Sequence, residues 1–471
     1  MVNGFVCIKY AKILVVAALL IGSGLPAVKS ARLDITQDNA SFDLLIISPQ
    51  IFSKYLQPLV EHKNSHGVKT KLVTTSQIYY EMRGIGRDRA EKMKDFIKEA
   101  IEKWNIKYVL LVGGRKDQSK KESWWVPVRY THLERKYEKW LEKKFLTDLY
   151  YADIYDKNGN FSSWDDNNNG IFGEWPENKP AVDIPDLYPD VYVGRLPCRN
   201  IFDVMIVVKK IIDYESTCHL DTDWFKRMVV VGGDTYEKTD YLDGEVYTQQ
   251  AIEMMDGFEP VKLWVSTGTL KNWRDIVKTL NKGCGFVYFS GHGNPCTWST
   301  CKPGNEKKRV GRFKIRHMVF LANGKKLPVC IAGSGCFVNM FNVSLGHSEW
   351  VYWQGWIPYN VPRCWGWSLV RKIGGGCIAV IGSTGFSYES PDISSNRGGC
   401  EWLDIHFFEQ YGRRNITVLG ECWGKTITSF LQNFTIDWTD CSDDGDALIA
   451  KNVEQWLLIG DPSLRIGGYP E

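Results

Sequence analysis

A chain of 471 residues, 44% hydrophobic and 24% charged, carries enough apolar sequence for two or three globular domains, which excludes a disordered or low-complexity protein. Its 58 Lys plus Arg against 55 Asp plus Glu leave a net charge of +3, so charge gives no case for nucleic acid as a partner.

At the N-terminus Lys9 and Lys12 flank the approach to ILVVAALLIG (13–22), followed by Gly24, Pro26 and small residues up to Ser30. That is the layout of a secretory signal peptide, and the apolar run falls short of the roughly 20 residues that span a bilayer. Residues 1–30 are therefore expected to be removed. The mature chain is expected in a secreted, extracellular or cell-surface setting, with no stable membrane span. Sequons at Asn39, Asn160, Asn342, Asn415 and Asn433 are compatible with export. Thirteen cysteines in an oxidising compartment predict some disulfides, with Cys296 and Cys301 the closest plausible pair in sequence.

After the signal, FDLLIISP (42–49), TKLVTTS (70–76) and KYVLLVGG (107–114) read as strands. Between the last two, Met93, Phe96, Ile97, Ala100, Ile101 and Trp104 make one apolar stripe on a Lys/Glu-rich helix. Alternating strands and helices imply a mostly parallel sheet with helices on its faces, an α/β fold. The charged, aromatic and Asn/Gly-rich stretch from about Asp117 to Asp190 interrupts this rhythm. It resumes at VYVGRLP (191–197) and a helix over roughly 201–215. A second α/β unit opens at RMVVVGGD (227–234) and continues through helices near 244–256 and 270–281, VKLWVS (261–266), two further strands and GCIAVIGS (376–383). The economical division is an N-terminal α/β subdomain, 31–222, beside a second α/β subdomain, 223–471.

Two runs carry the chemistry. FVYFSGHG (286–293) and LPVCIAGSGC (327–336) read as fully buried strands, and each ends in a glycine-flanked reactive side chain, His292 or Cys336. Open α/β sheets place their active sites at the C-terminal strand edge, where both residues arrive. A cysteine is nucleophilic as the thiolate and needs a nearby imidazole to reach that form at neutral pH, which His292 can supply. The amides of Gly293 and Cys336 are candidates for holding a developing oxyanion. Cys330 lies inside the apolar strand and reads as structural. Cys218 and His219 are adjacent on one segment and poorly placed to meet on a substrate atom.

SWDDNNNGIFGEW (163–175) sets Asp165, Asn167 and Asn169 at alternate positions before Gly170, the spacing that opens calcium loops. Glu174 falls two residues short of the usual bidentate position, and Asp153 just upstream is a further oxygen donor. A calcium ion here would be structural, because thiol catalysis requires no cofactor.

Together with DVYVGRLPC (190–198), VVVGGD (229–234), IGSTGFSYESP (381–391) and WLLIGDPSLRI (456–466), the two strand ends resemble the gingipain-type cysteine peptidases of the caspase and legumain lineage. The resemblance spans roughly residues 145–468 and implies a caspase-like catalytic unit. It implies a catalytic dyad of His292 and Cys336, with Asp234 at the position of the histidine-orienting acid, where the family's best-known members carry Glu. Counting from that acid places Glu245 at the position that selects Arg, with Asp243 close by, and Tyr388 matches the aromatic that closes the pocket. A carboxylate there would favour a basic P1 residue in protein or peptide substrates. Two other readings are transpeptidation through the same acyl-enzyme, and a catalytically silent surface-binding protein whose 19 Trp and 22 Tyr supply aromatic contacts.

Overall fold

Apolar runs bounded by glycine become the strands of one sheet in the computed structural model. It describes residues 41–119, 121–137, 140–218, 222–235, 242–333, 337–343, 361–390, 398–442 and 445–470. The expected signal peptide, Asn39, His219 and Cys336 lie outside these residues. In chain order the strands are β1 (Leu44–Ser48), β2 (Thr70–Thr74), β3 (Tyr108–Val112), β4 (Arg129–Thr131), β5 (Arg135–Tyr137), β6 (Trp140–Glu142), β7 (Phe145–Thr147), β8 (Tyr192–Leu196) and β9 (Arg227–Gly232). Then follow β10 (Glu259–Trp264), β11 (Phe286–Ser290), β12 (His292–Asn294), β13 (Thr297–Lys302), β14 (Asn305–Lys314), β15 (Val329–Gly333), β16 (Ala379–Ser383) and β17 (Trp456–Ile459).

Ten of them form the main sheet, in the order β10-β9-β11-β15-β16-β17-β8-β3-β1-β2. Neighbours run parallel except β16 and β17, which are antiparallel. Every residue of β1, β11, β15 and β16 is buried, as strands covered on both faces require. The α/β class and mostly parallel sheet match the expectation. The expected boundary near 216–223 separates β8 from β9 in sequence, yet β17 carries the sheet across it by pairing with β16 on one side and with β8 at Ile459 and Arg195 on the other. All described residues lie in one compact unit, Ile35–Glu471.

Local chemistry fixes the helix ends. The helix Arg89–Trp104 starts at Asp88, whose carboxylate accepts the Glu91 amide at 2.8 Å, and stops at Asn105 in the left-handed region at φ 56°. Its predicted stripe packs inward, with Met93, Phe96, Ile97, Ala100 and Trp104 buried and Ile101 half-buried.

Two of the sequence motifs turn out to be packing devices. A Cβ on Gly194 would sit 2.6 Å from the Gly460 carbonyl oxygen, so the GRLP and GDPSL segments meet backbone to backbone. Arg195 is fully buried and grips Asp148 with Nε and Nη2 at 2.7 and 2.8 Å. Nearby, buried Lys63 bridges Glu215 at 2.7 Å and Asp461 at 2.9 Å, binding three distant segments together.

Cys296 and Cys301 do not pair with each other. Cys296 lies in the tight turn between β12 and β13, and Cys301 is four extended steps along β13 from Thr297, about 13 Å at ~3.3 Å per residue, beyond the span of a disulfide. Cys296 is a buried thiol that desolvation pushes up to about 12.

Candidate active site

Three of the predicted site residues follow three adjacent parallel strands. Asp234 comes two residues after β9, His292 two residues after β11, and β15 ends at Gly333, three residues before Cys336. Their registers place Phe286 opposite both Met228 and Val329, and Ser290 opposite Gly333. The strand ends therefore reach one edge of the sheet in step, the position that open α/β sheets reserve for ligands.

His292 opens β12, the first strand of the meander β12–β14 that folds back over this edge. Its Nε2 lies 3.0 Å from the Thr235 carbonyl oxygen. A carbonyl only accepts, so Nε2 carries the proton and Nδ1 the lone pair. The ring is half-buried at its surface, and packing around it pushes its pKa down to about 4. Desolvation is the main cause, Arg309 adds to it, and the Thr235 carbonyl opposes it. His292 is thus a neutral imidazole at pH 7 with a defined tautomer.

Asp234 is buried at the start of the same turn, and its Oδ2 accepts the Gly304 amide at 2.6 Å. Its backbone pairs with Cys301, and its carbonyl also accepts the Thr300 hydroxyl at 3.0 Å. The imidazole Nε2 meets the next carbonyl along, that of Thr235. Side-chain pattern could not have indicated it, because any residue at 235 supplies the same oxygen.

The chain on either side of residues 334–336 is anchored. Gly333 pairs with Ser290 at the end of β11, and the Phe337 amide donates to the Gly293 carbonyl at 3.4 Å. The Phe337 ring packs on Phe386 at 4.8 Å. Phe386 follows β16, and its amide donates to the Glu142 carboxylate at 3.2 Å. Cys330 sits buried in the middle of β15, opposite Val287 and Val380, as its apolar setting implied.

Glu245 lies in the first turn of the helix Asp243–Glu253 and is buried. Both its carboxylate oxygens accept from Ser266, Oε1 from the amide at 2.9 Å and Oε2 from the hydroxyl. Ser266 follows β10, the edge strand, and Gly244 just before Glu245 lies close to the ends of β9 and β11, where a Cβ would be 2.8 Å from the Gly233 carbonyl oxygen and 3.1 Å from that of Ser290. Asp243 is buried at the helix start. Tyr388 is half-buried and fixed by its backbone: its carbonyl accepts the Cys400 amide at 2.8 Å and Asn452 Nδ2 at 2.9 Å.

The Asx-rich loop closes on itself. Asp165 Oδ1 accepts the Asn169 amide at 3.0 Å and Oδ2 the Gly170 amide at 2.9 Å, while Asn167 Oδ1 also accepts from Asn169. Asn169 Nδ2 donates to Glu174 at 2.7 Å. Arg87 Nη1 lies 2.5 Å from Asp165 Oδ2, so a guanidinium already balances the charge that a calcium ion would need. Asp153 has partners of its own, with Oδ2 accepting from Trp164 Nε1 at 2.9 Å and the Leu187 amide at 3.2 Å, and its burial pushes it up to about 7. These residues do not fit a calcium centre in this arrangement. Among the described residues no group of three or more His, Cys, Asp and Glu is placed to hold a metal ion, and no helix is long and apolar enough to cross a membrane.

Fold and site together define an α/β protein that presents a neutral histidine beside the end of a buried strand leading to a cysteine. The sequence profile of peptidase family C25 matches residues 37–467, and the chain belongs to that family. It is 20% identical over 449 residues to gingipain R2 of Porphyromonas gingivalis, covering 93% of this chain and 48% of that protein. Against gingipain R1 of Porphyromonas gingivalis the figures are 20% over 434 residues, 90% and 34%. The chain thus spans about half or less of the length of these curated relatives. Among solved structures, that of the Arg-specific cysteine proteinase gingipain R superposes with a TM-score of 0.60 at 17% identity, over 92% of this chain and 79% of that one, which shows a shared fold.

Proposed function

We propose that this chain is a secreted or cell-surface cysteine endopeptidase that works through Cys336 and His292 and prefers a basic P1 residue. The observation that carries the reading is the anchoring of both flanks of residues 334–336 on the histidine turn, Gly333 against Ser290 and the Phe337 amide on the Gly293 carbonyl. Membership of peptidase family C25 supports it.

In this mechanism the Cys336 thiol gives its proton to Nδ1 of His292, the lone-pair nitrogen left by the Nε2 contact with Thr235. The sulfur attacks the scissile carbonyl carbon, and the carbonyl electron pair moves to oxygen, where the Gly293 and Cys336 amides receive it. Collapse expels the amine, which takes the proton from the imidazolium. Water, with its proton drawn off by the same nitrogen, then releases the acid and the thiol. Protein and peptide chains are the substrates, and each step uses only the chain's own groups.

The test is covalent labelling of the purified chain by an acyloxymethyl ketone carrying Arg or Lys. Labelling that maps to Cys336 and disappears in Cys336→Ala and His292→Ala supports the mechanism. Undiminished labelling of Cys336→Ala would falsify it.

A further inference from the structure

We propose that Glu142 is a positioning residue for catalysis, one that holds Phe386 and through it Phe337, the residue that follows Cys336 in the chain. This rests on the peptidase reading above. It gives a part in the reaction to the charged, aromatic-rich stretch that interrupts the first α/β unit.

The segment after Cys336 is laid against the segment that ends β16. The Asn339 amide donates to the Ser383 carbonyl at 3.0 Å, and the Phe337 ring packs on Phe386 at 4.8 Å. Asn339 is fully buried, and its Nδ2 donates to the carbonyls of Val380 at 3.1 Å, Gly382 at 3.2 Å and Leu457 at 3.3 Å. Phe337 also gives its amide to the Gly293 carbonyl. Whatever holds Phe386 therefore bears on the residue beside Cys336 and on the histidine turn together.

What holds Phe386 comes from β6 and β7. Glu142 ends β6 and is buried, and its carboxylate accepts the Phe386 amide at 3.2 Å. Thr384, two residues earlier, gives its hydroxyl to the Leu146 carbonyl at 2.6 Å and its amide to the Gln455 carbonyl at 3.0 Å. Between them a Cβ on Gly385 would stand 2.8 Å from Glu142 Oε1 and 3.0 Å from Gln455 Oε1, so only a bare backbone lets the carboxylate come so close.

Glu142 is itself fixed. Fully buried Lys451, on the helix Asp446–Gln455, bridges its Oε2 at 2.7 Å and Gln455 Oε1 at 3.2 Å, with the ammonium 3.8 Å from the centre of the Phe145 ring. Glu454, whose charge also acts on Lys451, is pushed up to about 8 by burial and accepts the Thr131 hydroxyl at 2.7 Å. At pH 7 it carries a proton and leaves the ammonium to Glu142. An offset of about 1 Å at reacting atoms can cost roughly 100-fold in rate, so the acceptor on the Phe386 amide bears on kcat rather than on substrate affinity.

The experiment measures kcat and KM on a fluorogenic peptide with Arg at P1, and kinact and KI for an Arg acyloxymethyl ketone. Circular dichroism and melting temperature confirm that each purified variant is folded. Two double variants both remove the buried ion pair: Glu142→Gln with Lys451→Met keeps an acceptor for the Phe386 amide, and Glu142→Met with Lys451→Met does not. The first should retain kcat and kinact within about threefold of wild type. The second should lose about tenfold or more in both, with KM and KI changed less than about threefold. Phe386→Ala breaks the link to Phe337 without touching the ion pair; it should show the same loss of kcat, and it carries the test if the double variant without the acceptor does not fold. Equal rates in the two doubles overturn the assignment, as does an unchanged kcat in Phe386→Ala. So does a loss confined to KM and KI, which would make this segment a wall for the substrate instead. If the wild type neither cleaves the peptide nor is labelled at Cys336, the peptidase reading itself falls and takes this role with it.

Discussion

Nε2 of His292 donates to the Thr235 carbonyl oxygen at 3.0 Å. This contact decides which ring nitrogen holds the proton and therefore which one faces the chemistry. It comes from backbone, so the substitution Thr235→Ala should leave kcat/KM within about threefold of wild type, as for a change away from any transition-state contact. A loss of activity beyond tenfold in steady-state assays would show that the Thr235 hydroxyl matters.

The depressed pKa of His292 has a consequence for stability. Its folded value of about 4 lies below the unfolded value of ~6.5, so the neutral ring favours the folded state above pH 6.5. That contribution should disappear as pH falls from about 6.5 through 4, on the order of 1 to 3 kcal/mol. Urea unfolding of the wild type and His292→Gln across this range should show the difference between them narrowing toward acid pH. A constant difference would rule the linkage out.

Gly333 is crowded by the carboxylate of Asp404. Its Cβ would meet Asp404 at 1.5 Å, so Gly333→Ala should destabilise the protein by about 1 to 3 kcal/mol through overpacking. Chemical denaturation measures this. The double variant Gly333→Ala with Asp404→Ala should recover part of the loss if the clash is the cause.

Lys63 is a larger test of the fold. It is fully buried between Glu215 and Asp461, and Lys63→Met would leave two buried carboxylates without their cation, at a cost of about 3 to 5 kcal/mol. The loss should fall at acid pH, once those carboxylates can take up protons. A shift in midpoint below 1 kcal/mol would contradict the arrangement.

The Asx-rich loop should not respond to calcium. Arg87 already pairs with Asp165, so excess calcium or a chelator should leave the melting temperature unchanged, whereas Arg87→Ala should lower it. A clear rise of the wild-type melting temperature with calcium would restore the metal reading.

Much of the fold was legible along the chain. The stripe from Met93 to Trp104 and the glycine-bounded runs ending at His292 and Gly333 report local periodicity and burial, which sequence carries directly. β17 was not legible as the joint between the two halves, because its partners β16 and β8 lie far from it in sequence. The short strands β4–β7 and the meander β12–β14 were hidden in polar, aromatic-rich stretches whose pairing is decided by tertiary contact. At the site, His292 and the approach to Cys336 could be named from strand ends and Asp234 from the family resemblance, but the orientation of each side chain could not.

By itself the sequence determined the α/β class and the buried strands, and it put forward His292 and Cys336 as the reactive pair, since these readings depend on residue type and short-range spacing. Only the tertiary structure decided that a backbone carbonyl holds His292, that Glu245 is bound by Ser266, and that Asp404 rests against Gly333. Those are meetings between segments many residues apart, set by sheet order and close packing rather than by neighbouring sequence.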